Sequence, residues 1–405
     1  MNNVPEGWRE VSLGKIALME RGRFSPRPRN DPKYYGGTVP FIQTGDVAKS
    51  EKYIYSFSQT LNSEGLKVSK LFEIRTIAIT IAANIGEVGI LGIPMAFPDS
   101  LVGIKPNPNY NTDWLFYNLQ ANKISLDGLA TANAQKNINL QILNSFPILL
   151  PPLPEQDKIA TILSTWDDSL SNLVQLIEAK RKQKRALAEQ LLTGKRRLKG
   201  FEGEWLNLRF GDVFTRVTRK NVSGNQHALT ISGAHGLIDQ REFFNKRIAA
   251  MDLSGYYLLY KGEFAYNKSY SAGYDFGAIK RLNRYEAGVV STLYICFALT
   301  RAGAVSNYFE HYFDANLMNE GISGIAQEGA RNHGLLNVSV KDFFELDIPY
   351  PVREEQEAIA AILSTLDTEI NKLEALQNAT QRQKRGLMDL LLTGKVRVKI
   401  EEGAE

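Results

Sequence analysis

Residues 151–200 read PPLPEQDKIATILSTWDDSLSNLVQLIEAKRKQKRALAEQLLTGKRRLKG, and residues 351–400 read PVREEQEAIAAILSTLDTEINKLEALQNATQRQKRGLMDLLLTGKVRVKI. The two stretches align without a gap, and roughly half of the aligned positions are identical, which marks an internal repeat. The segments that precede the two copies do not resemble each other. A chain that repeats its connecting segments but varies what lies between them predicts two different globules held by similar connectors.

Each copy of the repeat predicts one long helix. Proline residues precede the helix, where proline is tolerated, and Gly194 follows the first helix as an expected C-terminal cap. Apolar residues recur at steps of three and four, which is the helical period. They are Ile159, Ile162, Leu163, Trp166, Leu170, Leu173 and Ile177 in the first copy, and Ile359, Ile362, Leu363, Leu366, Ile370, Leu373 and Leu376 in the second. The stripe is narrow enough for a coiled-coil seam, so we expect the two helices to form an antiparallel coiled coil.

The segments outside the repeat predict a mixed α/β (α+β) fold. Short strand-like runs such as 77–81, 88–91 and 294–297 alternate with glycine, asparagine and proline. Both segments begin with a tryptophan, Trp8 and Trp205. We therefore expect four parts with a pseudo-twofold internal repeat: a globule at 1–150, a helix at 151–200, a globule at 201–350 and a helix at 351–405.

Composition limits the class of protein. The chain has 405 residues, a net charge of +4 and one cysteine, Cys296, which excludes a disulfide framework or a cysteine-rich zinc site. The single cysteine fits a reducing compartment, so we expect a cytoplasmic protein. No apolar run is long enough to span a bilayer, and no membrane association is expected. Any nucleic-acid footprint must be local because the net charge is small.

No stretch of the chain predicts catalysis, a cofactor or a metal. The sequence has neither a phosphate-binding GxxxxGK[ST] loop nor a GxGxxG fingerprint. Residues 107–110 (NPNY) resemble an adenine methyltransferase element only superficially, and a plain turn is the better interpretation. The four histidines lack metal-ligand spacing. We therefore expect no catalytic, cofactor-binding or metal-binding residues in this chain.

Polar and basic clusters predict DNA contacts in both globules. Cations can neutralise phosphates, and amide or hydroxyl side chains can reach base edges. In the first globule the candidates are Arg21, Arg23, Arg27, Arg29, Gln43, Thr44, Asp46, Asn84, Lys136 and Asn137. In the second they are Ser232, His235, Tyr266, Asn267, Lys268, Tyr270, Arg331, Asn332 and His333. Each of them is also compatible with an ordinary loop, cap or core position.

The whole chain resembles the specificity subunit of type I restriction–modification enzymes. The resemblance is carried by PPxPEQ followed by Ile159-Ala160 and Ile162-Leu163, by its second copy at Glu355-Gln356, and by the two LLTGK helix ends. The stretches 229–233, 261–268 and 288–292 resemble one variety of the family's target-recognition domain. The combined pattern is specific, although its single motifs are weak.

The resemblance implies a function and a set of partners. Each globule would be a target-recognition domain that reads half of an asymmetric, bipartite site in double-stranded DNA. The helices would act as spacers and as docking surface for two modification (methyltransferase) subunits, which carry S-adenosylmethionine and methylate adenine. Restriction (translocase) subunits would use ATP and Mg²⁺. This chain would itself be non-catalytic.

Two other functions are compatible with parts of the sequence. A scaffold or adaptor whose globules grip proteins would also repeat its connectors, but it would show no preference among DNA sequences. A methyltransferase fused to its own reader would need a cofactor loop, which the sequence lacks. Duplex binding with and without a modification subunit separates these functions.

Overall fold

The computed structural model of the protein describes residues 4–130, 137–233, 236–244, 252–269, 273–326 and 336–400. The chain divides into two compact units. Unit 1 comprises Met1–Val174 and Leu376–Glu405, and unit 2 comprises Gln175–Ala375. Each unit therefore contains one globule together with a part of both repeat segments.

The globule of unit 1 is built on three antiparallel or mixed sheets. Its strands are β1 (Arg9–Ser12), β2 (Ala17–Arg21), β3 (Tyr35–Phe41), β4 (Tyr53–Ile54), β5 (Gln59–Leu61), β6 (Leu71–Phe72), β7 (Ile77–Thr80), β8 (Val88–Leu91), β9 (Met95–Ala96), β10 (Leu101–Pro106) and β11 (Pro147–Leu150). A five-stranded sheet has the order β2-β10-β7-β8-β4, a four-stranded sheet has the order β5-β3-β9-β6, and β1 pairs with β11. All residues of β7 and β8 are buried, which explains their nearly continuous apolar sequences.

Short helices complete this globule. They are α1 (Leu13–Ile16), α2 (Thr44–Lys49), α3 (Ser63–Lys67), α4 (Thr112–Ala121), α5 (Lys123–Gly128) and α6 (Leu140–Ser145), with a 3-10 turn at Pro32–Tyr34. The side chain of Asn111 accepts a hydrogen bond from the Trp114 N–H at 2.9 Å and so caps α4, the most deeply buried of these helices. Residues 107–110 form a turn closed by a bond from the Tyr110 N–H to the Asn107 carbonyl. The chain then enters the long helix α7 (Leu153–Leu192).

The globule of unit 2 has a different sheet arrangement. Its strands are β12 (Leu206–Arg209), β13 (Phe214–Arg216), β14 (Leu229–Ser232), β15 (Gly236–Asp239), β16 (Tyr257–Tyr260), β17 (Phe264–Asn267), β18 (Ala278–Arg281), β19 (Ala287–Val290), β20 (Ile295–Leu299) and β21 (Asp347–Tyr350). The order β13-β20-β17-β18 forms one sheet, and β12-β21, β14-β15 and β16-β19 form pairs. Its helices are α8 (Phe210–Val213), α9 (Gln240–Phe244), α10 (Ser306–Asp314), α11 (Asn319–Ile325) and α12 (Val340–Phe344), and the long helix α13 (Arg353–Leu392) follows.

The two predicted long helices are confirmed. Each contains 40 residues, so each is about 60 Å long. Gly194 and Gly394 follow the helix ends with φ of 72° and 67°, a left-handed conformation that glycine adopts without a Cβ penalty. The division between the two units falls inside each helix, between residues 174 and 175 and between residues 375 and 376.

The long helices pair antiparallel within each unit. In unit 1 the start of α7 packs on the end of α13, where Leu163 and Leu391 share one buried cluster. In unit 2 the end of α7 packs on the start of α13, where Leu191 and Leu363 do the same. The predicted antiparallel coiled coil therefore holds in both units.

The seam between the helices is more polar than the sequence pattern predicts. Ile362 and Leu376 belong to the expected apolar stripe, yet they are 36% and 51% exposed. Thr380 and Lys384 are buried instead. The Lys384 ammonium group lies against the Asp167 carboxylate, so its burial is compensated by an ion pair.

In each unit, a buried carboxylate at the start of a long helix accepts hydrogen bonds from an arginine and a tryptophan. In unit 2 the side chain of Glu355 is fully buried, and the Arg197 guanidinium donates to its two oxygens at 2.7 and 2.8 Å. The Trp205 indole N–H donates to the same carboxylate at 2.9 Å. We call these three residues the helix-end cluster of unit 2. It joins the start of α13, the segment that follows α7 and the first residues of the globule.

Unit 1 contains the same cluster, shifted by about 200 residues. Glu155 accepts hydrogen bonds from the Arg397 guanidinium and, at 3.2 Å, from the Trp8 indole. Arg397 follows α13, whereas Glu155 lies at the start of α7. The first copy of the repeat thus supplies the acid in unit 1 and the arginine in unit 2.

Each globule begins and ends at neighbouring strands. Arg9 of β1 pairs with Leu150 of β11, and Leu206 of β12 pairs with Tyr350 of β21. The chain therefore enters and leaves each globule at one place, next to the long helices. The predicted division at residues 150, 200 and 350 describes chain order, whereas the compact units combine each globule with parts of two helices. Among the helices of the described residues, none is both long and apolar enough to cross a membrane.

Candidate nucleic-acid interface

A loop carrying four arginines lies at the surface of unit 1. Residues 21–29, here called the arginine loop, are anchored by Phe24, which is 3% exposed. Its ring lies 5.2 Å from that of Phe41 and 5.7 Å from that of Tyr35. Gly22 has no room for a side chain, since a Cβ there would lie 2.2 Å from the Pro98 carbonyl oxygen. The backbone is thus held in place while the arginines remain exposed.

The four guanidinium groups of this loop mostly contact backbone carbonyls. Arg21 donates to Asp99 O at 2.6 Å, Arg23 to Ser69 O at 2.7 Å and Arg27 to Pro26 O at 2.8 Å. Arg29 forms an ion pair with the Asp99 carboxylate at 2.7 Å. Within the described residues, Asp99 is the one carboxylate paired with these arginines. The excess positive charge suits a phosphate backbone.

Some polar groups of residues 43–46 are already used to cap helix α2. The Asp46 carboxylate accepts bonds from the Gln43 N–H at 2.7 Å and the Ser58 hydroxyl at 2.8 Å, so Asp46 caps α2. Thr44 is half-buried. The Gln43 amide donates to the Gln59 amide at 3.1 Å. Gln59 was missed by sequence reasoning because no local signal links residues 16 positions apart.

Asn84 and Asn137 lie at one turn of unit 1. Asn84 is exposed on the turn between β7 and β8, and its carbonyl accepts a bond from the Thr80 hydroxyl. Asn137 forms a bridge with Ala82, which places it beside this turn. The structure therefore brings together two candidates that are 53 positions apart. Lys136 lies outside the described residues.

Tyr266 does not offer a surface for DNA. Its side chain is fully buried, its ring stacks on Phe343 at 5.1 Å, and its hydroxyl donates to the Phe276 carbonyl at 2.8 Å. The strand period places Tyr266 on the inner face of β17. The interpretation of Tyr266 as a DNA contact is corrected by this burial. Ser232, at the end of β14, is 6% exposed and also faces the interior.

Asn267 and Lys268 lie at the end of β17. The Asn267 side chain accepts a bond from the Ser269 N–H at 3.2 Å and so stabilises the local turn. Lys268 is half-buried, and burial lowers its pKa. A partly buried cation favours an anionic ligand. The remaining candidates, His235, Tyr270, Arg331, Asn332 and His333, lie outside the described residues.

Sequence reasoning also missed a polar cavity in unit 2. It has a volume of about 240 Å³ and is lined by Gly233, Gly236, Leu237, Lys280, Arg281, Asn283, Arg284, Glu310 and Asp314. Its cations pair with carboxylates: Lys280 lies 2.6 Å from Asp314, and Arg281 contacts Glu310. Burial raises the pKa of Glu310, although Arg281 opposes the shift. The cavity is therefore nearly balanced in charge. No grouping of acidic, histidine or cysteine side chains suited to a metal ion occurs among the residues that the structure describes.

Comparisons with known proteins identify the architecture. The family described as "Type I restriction modification DNA specificity domain" matches residues 5–182 and 204–381. A Methanocaldococcus jannaschii protein, provisionally named type I restriction enzyme MjaX specificity subunit, is 25% identical over 98% of this chain and 96% of its own length. The MjaVIII specificity subunit of the same organism is 23% identical over 98% and 94%.

Solved structures of similar fold cover nearly the whole chain. The S subunit of a type I restriction–modification system from M. genitalium has a TM-score of 0.56 at 15% identity and covers 97% of both chains. A chain from a structure on complex assembly and conformational transition of the type I R-M system has a TM-score of 0.58 at 16% identity, covering 97% of this chain and 100% of that one. The repeated family match, the paired long helices and the two globules agree: the chain belongs to the type I restriction–modification DNA specificity family.

Proposed function

We propose that the chain recognises a bipartite, asymmetric site in double-stranded DNA, with each globule reading one half-site. The proposal is carried by one observation: two nearly identical helix-end clusters hold globules of different sheet architecture. Since equivalent clusters hold two different globules, we expect the two globules to read half-sites of different sequence. The arginine loop of unit 1 and Lys268 of unit 2 would provide phosphate contacts that position the readers.

The proposal extends to a non-catalytic role within a larger cytoplasmic complex. Two modification subunits would dock on the exposed faces of α7 and α13 and bring S-adenosylmethionine for adenine methylation. Restriction subunits would bring ATP and Mg²⁺. No glycine-rich cofactor loop occurs in the sequence, and the described residues hold no metal-binding cluster. We propose that the partner subunits, rather than this chain, hold these groups.

Methylation-aware sequencing tests the proposal directly. DNA from cells that carry this chain with its modification subunit should show one methylated motif with two defined ends and an unspecified gap. The purified complex should then bind a duplex with that motif and should discriminate against substitutions in either end. Binding without any sequence preference would favour the adaptor function instead.

Exchange of the first globule should change one half-site and leave the other unchanged. Since β1 and β11 pair at the base of the globule, residues 13–146 can be replaced by the equivalent segment of another family member without altering that pair. Sequencing of the modified DNA reads the outcome. The matched control exchanges residues 210–346, inside β12 and β21, and should alter only the other end. A change at both ends from either exchange would contradict the two-reader arrangement.

Substitution of Arg27 should weaken DNA binding without changing its specificity. Arg27 is exposed, and among the described residues its guanidinium donates hydrogen bonds to carbonyls of its own loop, so Arg27→Ala removes a cation and leaves the fold intact. We expect the slope of log affinity against log salt to fall by about one, with similar losses for all sequences. Lys67, which pairs with Glu64 elsewhere on the surface, provides the control Lys67→Ala. An unchanged salt slope for Arg27→Ala would remove the arginine loop from the interface.

A further inference from the structure

One helix of each globule is joined to both long helices through equivalent side chains. In unit 1 the hydroxyl of Tyr117, on α4, donates to the Asp167 carboxylate and lies 3.3 Å from the Ser164 hydroxyl. Asp167 in turn pairs with Lys384 of α13. We call this contact the globule–helix joint of unit 1. It fixes the orientation of α4 on the helices.

The joint of unit 2 has the same plan but a different side chain. His311 occupies the sixth position of α10, as Tyr117 does in α4. Its Nε2 lies 2.9 Å from the Ser364 hydroxyl, and its Nδ1 lies 3.7 Å from the Asp367 carboxylate. Asp367 is bound by Lys184 of α7 at 2.5 Å. Unit 2 thus has a histidine, facing the equivalent serine and aspartate of the repeat, where unit 1 has a tyrosine.

The surroundings of His311 favour its neutral form. The residue is 6% exposed, and its Nδ1 has no hydrogen-bond partner among the residues that the structure describes. Lys184 on α7 and Arg281 on β18 oppose a positive charge on the imidazole, whereas Asp367 on α13 and Asp314 on α10 favour one. Burial outweighs the other effects, so the pKa of His311 lies below its ordinary value of 6.5. Burial raises the pKa of Tyr117 far above the physiological range, so the Tyr117 hydroxyl stays protonated.

We propose that His311 is a positioning residue whose neutral imidazole holds the second globule on the long helices, so that recognition by this globule weakens in acid while recognition by the first globule does not. The proposal rests on the proposed DNA-reading function. Because the folded state lowers the pKa of His311, the neutral imidazole stabilises the joint above pH 6.5. That stabilisation is lost as the pH falls through the lower, folded-state pKa. Recognition of the second half-site should therefore depend on pH, whereas recognition of the first should not.

Hydrogen exchange in the complete, unmodified chain tests the joint without any variant. Protection of residues 306–314 is compared with protection of residues 112–121 at about pH 7.5 and about pH 5.5. The α4 segment serves as an internal reference, since the chemical exchange rate changes equally for both. We expect the ratio of protection factors, α10 to α4, to fall by roughly threefold or more in acid. A constant ratio would overturn the proposal.

A tyrosine at position 311 should abolish the pH dependence. His311→Tyr recreates the joint of unit 1, so its protection ratio and its discrimination at the second half-site should stay constant between the two pH values. His227→Gln is the control, since His227 pairs with Asp239 elsewhere in the same globule. That variant should retain the wild-type response. Acid-sensitive discrimination that survives in His311→Tyr would contradict the assignment. If no form of the chain binds its duplex at any pH, the DNA-reading function fails, and the exchange ratio still decides the role of His311.

Discussion

Replacing Arg197 by alanine should destabilise unit 2 by about 3–5 kcal/mol, because it leaves a buried carboxylate without its counter-ion. The Glu355 side chain is 0% exposed and receives two hydrogen bonds from Arg197. After the substitution, the Trp205 indole N–H is the remaining side-chain donor to that carboxylate among the described residues. Urea unfolding of the complete chain, followed by tryptophan fluorescence and circular dichroism, measures the loss of unfolding free energy.

The control for this experiment lies two residues away. Lys195 forms an ion pair with Glu189 in which both side chains are 64% exposed, so Lys195→Ala should cost less than about 1 kcal/mol. Arg397→Ala and Lys395→Ala form the equivalent pair in unit 1, where Arg397 binds Glu155 and Lys395 binds Asp389. Equal effects of Arg197→Ala and Lys195→Ala would show that the buried cluster does not stabilise the unit.

A chain truncated after residue 199 should form a homodimer. In the complete chain, residues of α13 such as Leu391, together with Arg397, complete the core and the helix-end cluster of unit 1. The truncated chain lacks both, but its own Leu191 and Arg197 occupy the same positions of the repeat. A second copy can supply them, and two copies do so reciprocally, as twofold symmetry requires. This dimer should recognise an inverted repeat of the first half-site.

Light scattering and sedimentation decide the state of the truncated chain. A stable monomer with its helix intact would contradict the argument. The Arg197→Ala substitution provides a second test, because in the dimer Arg197 would bind Glu155 of the other copy. We expect it to weaken dimerisation by at least about a hundredfold, which corresponds to about 3 kcal/mol. Lys195→Ala should leave the dimer unchanged.

Local signals were sufficient for the long helices. Proline before each helix and the spacing of apolar residues predicted one long helix in each copy of the repeat, because helical hydrogen bonds join positions only four apart. The mixed α/β class followed for a similar reason from short apolar runs. The exposure of Ile362 and the burial of Lys384 were not predictable in this way, since they depend on which face of the other helix lies opposite.

The sequence predicted the placement of some residues of the candidate interface correctly and of others wrongly. The arginine loop is exposed as expected, since four charged side chains in a turn-rich segment have no reason to be buried. Tyr266 was misassigned because polar neighbours in the sequence do not show that β17 turns its tyrosine inward onto Phe343. Asp46 looked available for a base, but its carboxylate caps α2. The burial of Tyr266 and the capping by Asp46 depend on contacts in the folded chain, which the order of polar and apolar residues along the sequence does not specify.

The sequence by itself determined that two similar helices carry two dissimilar globules, because a repeat and a helical period are both visible along one chain. Only the tertiary structure decided how the copies combine. Glu155 binds Arg397, 242 positions away, and Glu355 binds Arg197, 158 positions away. The motifs contain both partners, yet each acid pairs with the arginine of the other copy, since antiparallel helices bring the start of one beside the end of the other. Tyr117 and His311 could likewise not be recognised as equivalent from the sequence. Only the packing places each of them beside the serine and aspartate that occupy the same positions in the two copies of the repeat.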